Sequence, residues 1–469
     1  LSHFNTNDYY KNNPGAQRVA LFIVCLSSFL NPLILSSVMV AIPAIAQDLQ
    51  ADAVLIGWIP TAFLLTTVVL MLPFGKLSDM YGRKRIYITG VITLSIASLL
   101  AAMSPNIYWL IGCRILQGIG AAQTMGTGMA IITGVFPKRK RGAALGIAAT
   151  TLYIGLTTGP LLGGFFTEHF GWRSVFLFHL PFAASVAVLT LWKLKGDWKS
   201  EVRPIFDWVG TLTFAGFAIS ILLGLSAMPS WWGVIGLLTS VCFAVVFFYH
   251  QSRVENPLVR VAAVRANRVF SYSLISAFLL YSATFPITFL LSLYLQYIKG
   301  VSPILAGQIL IVQAVIMAFL SPITGRLSDR YEPRLLTTFG CVCVVTGFAL
   351  LMRIGFDTPN SYVVVSQICF GLGFGFFTTP NNNAALSSLD NAGLGIASAV
   401  LNLSRTLGNM IGMGVVMMII AIVLGDALIE PATYDQLLKA IRTAITLSLC
   451  YSIIAAYYSF SRGTARDKK

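Results

Sequence analysis

The residues of this chain that could do chemistry are a few charged side chains in a very apolar background. Two stretches repeat one pattern: GKLSDMYGRKR, Gly75 to Arg85, and GRLSDRYEPR, Gly325 to Arg334. Five of ten aligned positions are identical at an offset of 250 residues. In the first copy Gly75 permits close helix approach and Gly82 breaks the run before the basic cluster. Asp79 can accept from neighbouring helix N-termini, and Arg83, Lys84 and Arg85 can anchor a membrane face. Asp329 occupies the Asp79 position in the second copy. Groups of this kind form charge pairs that make and break. They do not form a nucleophile with its base, and the four histidines join no Ser/His/Asp or metal-binding constellation. No G-x-x-x-x-G-K-[ST] loop is present to cradle a nucleotide.

Two further charges, Arg114 and Arg405, fall inside apolar runs with no carboxylate in the same run. A buried guanidinium has five donors to satisfy and is costly when unpaired. Either backbone carbonyls and side-chain amides hold it, or an anionic group does. The acids are placed the other way. All 17 lie at or beyond the ends of apolar runs, so no carboxylate falls near the middle of one. The titratable groups left near a membrane interior are Glu168, His169 and His179, which stand as proton-coupling candidates.

These charges need elements to position them. The 469 residues are 56% hydrophobic and only 10% charged, with a mean hydropathy of +0.78. A soluble domain is about 25% charged, so the chain lacks a soluble skin. A membrane-spanning helix needs ~20 mostly apolar residues. Fourteen such runs fit: 17–44, 53–74, 85–104, 108–136, 141–167, 174–194, 206–228, 231–249, 269–298, 303–323, 335–354, 361–386, 393–424 and 440–460. With the N-terminus in the cytoplasm, 25 of the 32 Lys and Arg fall on the cytoplasmic side and five outside. That asymmetry is the positive-inside rule. The formal net charge of +15 is therefore topological and does not point to nucleic acid. The first run is long enough to act as its own insertion signal. The seven cysteines all sit in apolar runs without Cys-x-x-Cys spacing and read as small apolar fillers. No metal or cofactor is implied, and an enzyme is not expected.

The repeat and the span count predict an all-α membrane protein of two six-helix bundles, 17–194 and 269–460. Two additional helices, 206–249, stand between them, and cytoplasmic tails cover 1–16 and 461–469. Internal repeats of this kind mark secondary transporters with a site between the halves.

At these residues the sequence resembles the major facilitator superfamily. GKLSDMYGRKR is similar to its signature loop, which the resemblance makes a conformational latch. LIGCRILQGIGAA, Leu110 to Ala122, resembles the fourth-helix signature, with Arg114 as its buried basic residue. GLTTGPLLGG, Gly155 to Gly164, resembles the antiporter signature of exporters. There Gly155, Gly159, Gly163 and Gly164 make a bare face for close packing, and Pro160 interrupts the helix bonding. Such a seam can act as a hinge or seal a leak path. Fourteen runs, GWRSVFLFHLPF after the fifth, and LNLSRTLGNMIG in the thirteenth resemble the 14-span drug:proton antiporter branch. That branch carries an acid in its first helix, within a stretch like L-D-x-T-x-V-N-V-A-L-P. Here the matching stretch is LILSSVMVAIP, with Ile34 at the acid position and Met39 at the Asn position.

The resemblance implies a path lined by the first, second, fourth and fifth helices and their counterparts in the second half. Polar and aromatic residues there are the cavity candidates: Ser36, Ser37, Trp58, Gln123, Tyr153, Tyr281, Gln313, Asn381, Asn382, Asn402 and Asn409. The expected function is export of amphipathic small molecules by alternating access, as a multidrug-type antiporter working with protons. The alternative is export or flipping of a lipid-like or anionic molecule without the usual proton carboxylate. The expected setting is a bacterial inner membrane, multi-pass, with the protein a monomer in the lipid bilayer.

Overall fold

A computed structural model of the chain describes residues 9–10, 13–198, 206–255, 257–259, 264, 266–388, 394–425 and 427–463. Side chains at 138–140, 142–143, 149–150, 329 and 394–397 are outside that set, so the expectation for Asp329 is not addressed. Most of the two tails lies outside it as well.

Among the described residues there are fourteen long helices and no strand. They are α1 (Pro14–Leu49), α2 (Ala53–Tyr81), α3 (Arg83–Ala102), α4 (Ile107–Val135), α5 (Lys138–Phe170), α6 (Ser174–Lys193) and α7 (Trp208–Ser226). After these come α8 (Trp231–Gln251), α9 (Arg268–Ile298), α10 (Pro303–Arg330), α11 (Pro333–Leu351), α12 (Asn360–Ser387), α13 (Leu394–Val423) and α14 (Tyr434–Ser461). Thirteen are long and apolar enough to cross a membrane. The other, α4, is 29 residues long but carries Arg114, Gln117, Gln123 and several glycines, which lower its hydropathy.

The helices start where sequence chemistry predicts. Asp52 accepts from the N–H groups of Val54 and Leu55 at 2.9 and 2.7 Å. Asn13, Asn106, Asp207, Asn267 and Ser302 cap α1, α4, α7, α9 and α10 in the same way. These side-chain oxygens satisfy donors that a helix start leaves open. The Pro380-Asn381-Asn382-Asn383 cluster does not interrupt its helix, because α12 runs unbroken from Asn360 to Ser387. Each of its amides finds a protein partner instead: Ser273, Arg405 and Ser328 respectively.

The repeat is visible in the packing. α3 crosses α4 where Gly90 and Gly120 lie backbone to backbone, and α11 crosses α12 at Gly340 and Gly373 in the same manner. α2 packs on α4 at Phe63 and Gly118, and α10 packs on α12 at Gln313 and Gly371. With no hydrophobic drive between helices in lipid, such small-residue crossings supply the close contact that holds a bundle.

The α7–α8 pair forms a hairpin closed tightly at Gly224, Gly233 and Gly236 and lies against α2 and α13. Its other end is held by Asp207, which accepts from Gly210 N (2.8 Å), His250 Nε2 (2.7 Å) and Gln251 Nε2 (2.6 Å). Burial alone would raise this carboxyl's pKa. The three donors outweigh burial and hold it below the usual carboxylate range. A depressed folded-state pKa gives stability that is present above the unfolded value of ~3.9 and is lost as pH falls. Asp207→Asn is therefore expected to melt below the unsubstituted protein at pH 5, and the gap should narrow toward pH 3. Thermal unfolding in detergent measures it, and a gap unchanged over that range would disprove the assignment.

Candidate functional site

The signature loop is held differently from expectation. Among the described residues Asp79 accepts from no neighbouring helix N-terminus; it pairs with Arg83 of the next helix at 2.8 Å, and Arg83 also donates to Ala130 O at 2.6 Å. The carboxylate at the α3 N-terminus is Asp197, which accepts from Lys84 N at 2.9 Å and lies 3.8 Å from Arg85. Lys84 Nζ reaches back to Leu194 O at 2.5 Å. Gly82 has φ +114°, and a Cβ there would strike the Asp197 carboxylate. Only glycine satisfies both demands. Asp197 lies beyond the sixth helix, and nothing in local spacing connects it with residue 84.

The five antiporter-signature residues serve two seams. Gly155, Gly159 and Gly163 face α1, where an added Cβ would meet Phe29 O, Ser36 and Ser37 O. Gly164 faces the other half, against the backbone of Pro303 and Ile304 in α10. Gly307 of α10 reciprocates against the backbone of Pro160 and Leu161. Ser36 and Ser37 are therefore buried in the α1–α5 seam, bonded to Pro32 O and Leu33 O. Gln123 is likewise buried, over Gly90 of α3.

Hydrogen bonds between the halves gather toward the end opposite the termini. Gln296 donates to Val40 O (2.9 Å) and Tyr297 to Pro43 O (3.3 Å). Ala53 N donates to Ala427 O (3.3 Å), and Thr157 to Ala314 O (3.3 Å). Glu168, exposed at the end of α5, accepts from Ile304 N in the first turn of α10 at 2.9 Å. Its carboxylate thus ties the two halves across that seam. His169 is exposed and stacks on Phe165, with ring centroids 4.7 Å apart.

Arg114 is fully buried and has no carboxylate partner among the described residues. Its Nε donates to Ile59 O (2.9 Å), Nη1 donates to Gln117 Oε1 (2.7 Å), and the guanidinium covers the Phe63 ring at 4.7 Å. Gln117 continues to Ser98 (2.7 Å), and Ser98 meets His179 Nε2 at 2.8 Å. All four side chains are 0% exposed, so His179 belongs to an internal polar string through α4, α3 and α6. Gln117 was legible as the i+3 neighbour of Arg114; Ser98 and His179 carried no such signal.

Arg405 is half-buried between the halves. It donates to Asn382 Oδ1, and the side chains of Tyr153 and Tyr281 stand beside it. Trp58, Gln313, Asn402 and Asn409 are also half-buried. Asn381 is not in this group, being fully buried and accepting from Arg462 at 3.0 Å. Arg462 reads in the sequence as a tail residue, yet it is 1% exposed and also donates to Thr337 at 2.9 Å. The arrangement offers hydrogen bonding and aromatic surface to a guest; no nucleophile or metal cluster stands among the described residues.

A sequence model of the Major Facilitator Superfamily matches residues 24–413. The riboflavin transporter RibZ of Clostridioides difficile is 32% identical over 401 residues, covering 84% of this chain and 86% of that protein. The puromycin resistance protein pur8 of Streptomyces alboniger is 30% identical over 451 residues, covering 92% and 88%. Among solved structures, a bacterial homologue of the human lysosomal transporter Spinster superposes with a TM-score of 0.68 at 15% identity, covering 96% of this chain and 98% of that one.

Proposed function

The chain belongs to the Major Facilitator Superfamily, and from that premise we propose that it exports amphipathic organic molecules by alternating access. The observation that carries this reading is a closed seam at one end, α5 on α10, above a half-buried polar and aromatic cluster shared by both halves. A guest entering from the termini end meets Arg405, Tyr153 and Tyr281. Opening the Gly164–Pro303 seam would release it on the other side.

In this reading the fourteen helices all span, as bundles 17–194 and 269–460 with the pair 206–249 beside them. Both termini then lie in the cytoplasm of a bacterial cell with the chain in its inner membrane, and the working unit is a monomer. Asp79, Arg83, Lys84, Arg85 and Asp197 hold the cytoplasmic end as a latch. Proton coupling, where it operates, falls to Glu168. Protonating that carboxylate would weaken its bond to Ile304 N and loosen the seam. The relative named a riboflavin transporter, and an Arg405 with no carboxylate partner among the described residues, favour a second reading, a non-cationic cargo. No relative named here supports the lipid-like form of that alternative.

Reconstituted into proteoliposomes, the chain is expected to move at least one of puromycin, riboflavin and ethidium faster than protein-free vesicles do. An imposed pH gradient should change that rate. No acceleration of any of the three would overturn the transport reading, and acceleration indifferent to the gradient would remove proton coupling alone.

A further inference from the structure

We propose that the cluster around Arg405 is a cargo site selecting ring compounds with an anionic or carbonyl edge, and disfavouring organic cations. It rests on the transport reading above and names the substrate class of that site. Arg405 stands on α13 with Asn402 three residues before and Asn409 four after, which puts the three on one helix face. The Arg405 side chain is half-buried, whereas Arg114 is sealed at 0% exposure.

Among the described residues no carboxylate pairs with Arg405. Its hydrogen-bond partner is the neutral Asn382, the neutral Tyr153 stands beside it, and its Nε is buried with no acceptor. The described carboxylates all lie at helix ends or in loops, remote from the mid-helix position of residue 405. A positive charge in a site of low dielectric repels a cation and attracts an anion or a strong acceptor far more than it would in water. The planar guanidinium also matches an oxyanion or paired carbonyls geometrically.

The surroundings supply the ring preference. The guanidinium lies 5.4 Å from the Tyr281 ring, and Tyr281 is braced edge-on by Phe374, with centroids 5.5 Å apart at 81°. Tyr153 comes from the other half, so a guest here touches both bundles. Asn409 Oδ1 has no donor, so it can accept a ring N–H one turn from the arginine. A flat molecule with a C=O or O⁻ edge and an adjacent N–H answers both orphan groups.

The test uses two dyes built on the same three-ring xanthene skeleton: fluorescein, anionic at pH 7.5, and rhodamine 123, cationic. Proteoliposomes of the full chain are compared with protein-free vesicles. The unsubstituted protein should carry fluorescein at least ten-fold faster than rhodamine 123. Arg405→Gln should lower the fluorescein-to-rhodamine ratio at least ten-fold, and Arg405→Lys, which keeps the charge without the fork, should recover part of it. Should Arg405→Gln not elute as a monodisperse species, Arg405→Lys carries the test through a ratio lowered at least three-fold. Transport of rhodamine 123 in preference to fluorescein, or a ratio unchanged in the variants, overturns the inference and leaves the transporter reading standing. Movement of neither dye overturns the inference, and the transport reading then stands or falls with puromycin, riboflavin and ethidium.

Discussion

Gly164→Val is expected to cut transport more than ten-fold and to widen the seam between the halves at the end opposite the termini. The Gly164 position has no room for a Cβ, because the Pro303 carbonyl and the Ile304 backbone occupy it. Backbone cannot swing aside as a flexible side chain can, so α5 and α10 must part. Overpacking of this kind costs about 1–3 kcal/mol. The cost falls only on the closed seam, since the contact is absent once the halves separate. At about 1.4 kcal/mol per decade, a 2 kcal/mol penalty shifts the closed-to-open ratio by roughly thirty-fold. A carrier that cannot close one end loses alternation. Spin labels at positions 169 and 305, with the exposed Cys242 and Cys450 replaced, would read the wider distance directly. Gly163→Val is the informative companion. It is one residue away, but its Cβ meets Ser37 O inside the same half. It should lower melting temperature and yield without widening the seam. An unchanged label distance and normal transport in Gly164→Val would disprove the seam's role.

Arg114→Ala is expected to destabilise the first bundle by about 3–5 kcal/mol, the range for breaking a buried charged network. Three losses add. Ile59 O and Gln117 Oε1 lose their donor, the Phe63 face loses its cation, and a cavity is left where the guanidinium lay. Thermal unfolding in detergent should fall by on the order of 10 °C. Arg114→Lys should fall between the two, because a single ammonium cannot span both acceptors. Pairing Arg114→Ala with Gln117→Ala should be clearly non-additive, since Gln117 also bonds Ser98 and loses its reason for that orientation. An alanine variant that melts with the unsubstituted protein would show the network to be dispensable.

The fold was largely legible before any coordinates. Each helix needed only its own apolar run, helped at six starts by a capping side chain, and both are local. The matching bundles followed from the 250-residue echo, and the glycine crossings at 90/120 and 340/373 repeat as the echo requires. The site was legible only as a set of residue types. Arg405, Tyr153, Tyr281 and Asn382 do come together, whereas Ser36, Ser37 and Asn381 turn into helix seams. Sequence could not separate these outcomes, because a helix interface and a transport path favour the same small and polar residues.

What the sequence alone determined is the solvent of each segment. Hydropathy, the side-sorted basic residues and the lack of a mid-run carboxylate at positions such as Ile34 are sums over single residues, and no folding changes them. What the tertiary structure decided is partnership. Asp197 rather than Asp79 caps α3, Glu168 ties α5 to α10, and Arg462 leaves the tail for a buried seat on Asn381 and Thr337. Arg114 finds its partners within one half while Arg405 stands between two, and each keeps one buried guanidinium nitrogen without an acceptor. The reason is physical. In a bilayer a buried polar group that its own helix backbone cannot satisfy must find a partner on another helix, and which helix is nearest depends on how fourteen of them pack, not on the order of the residues along any one.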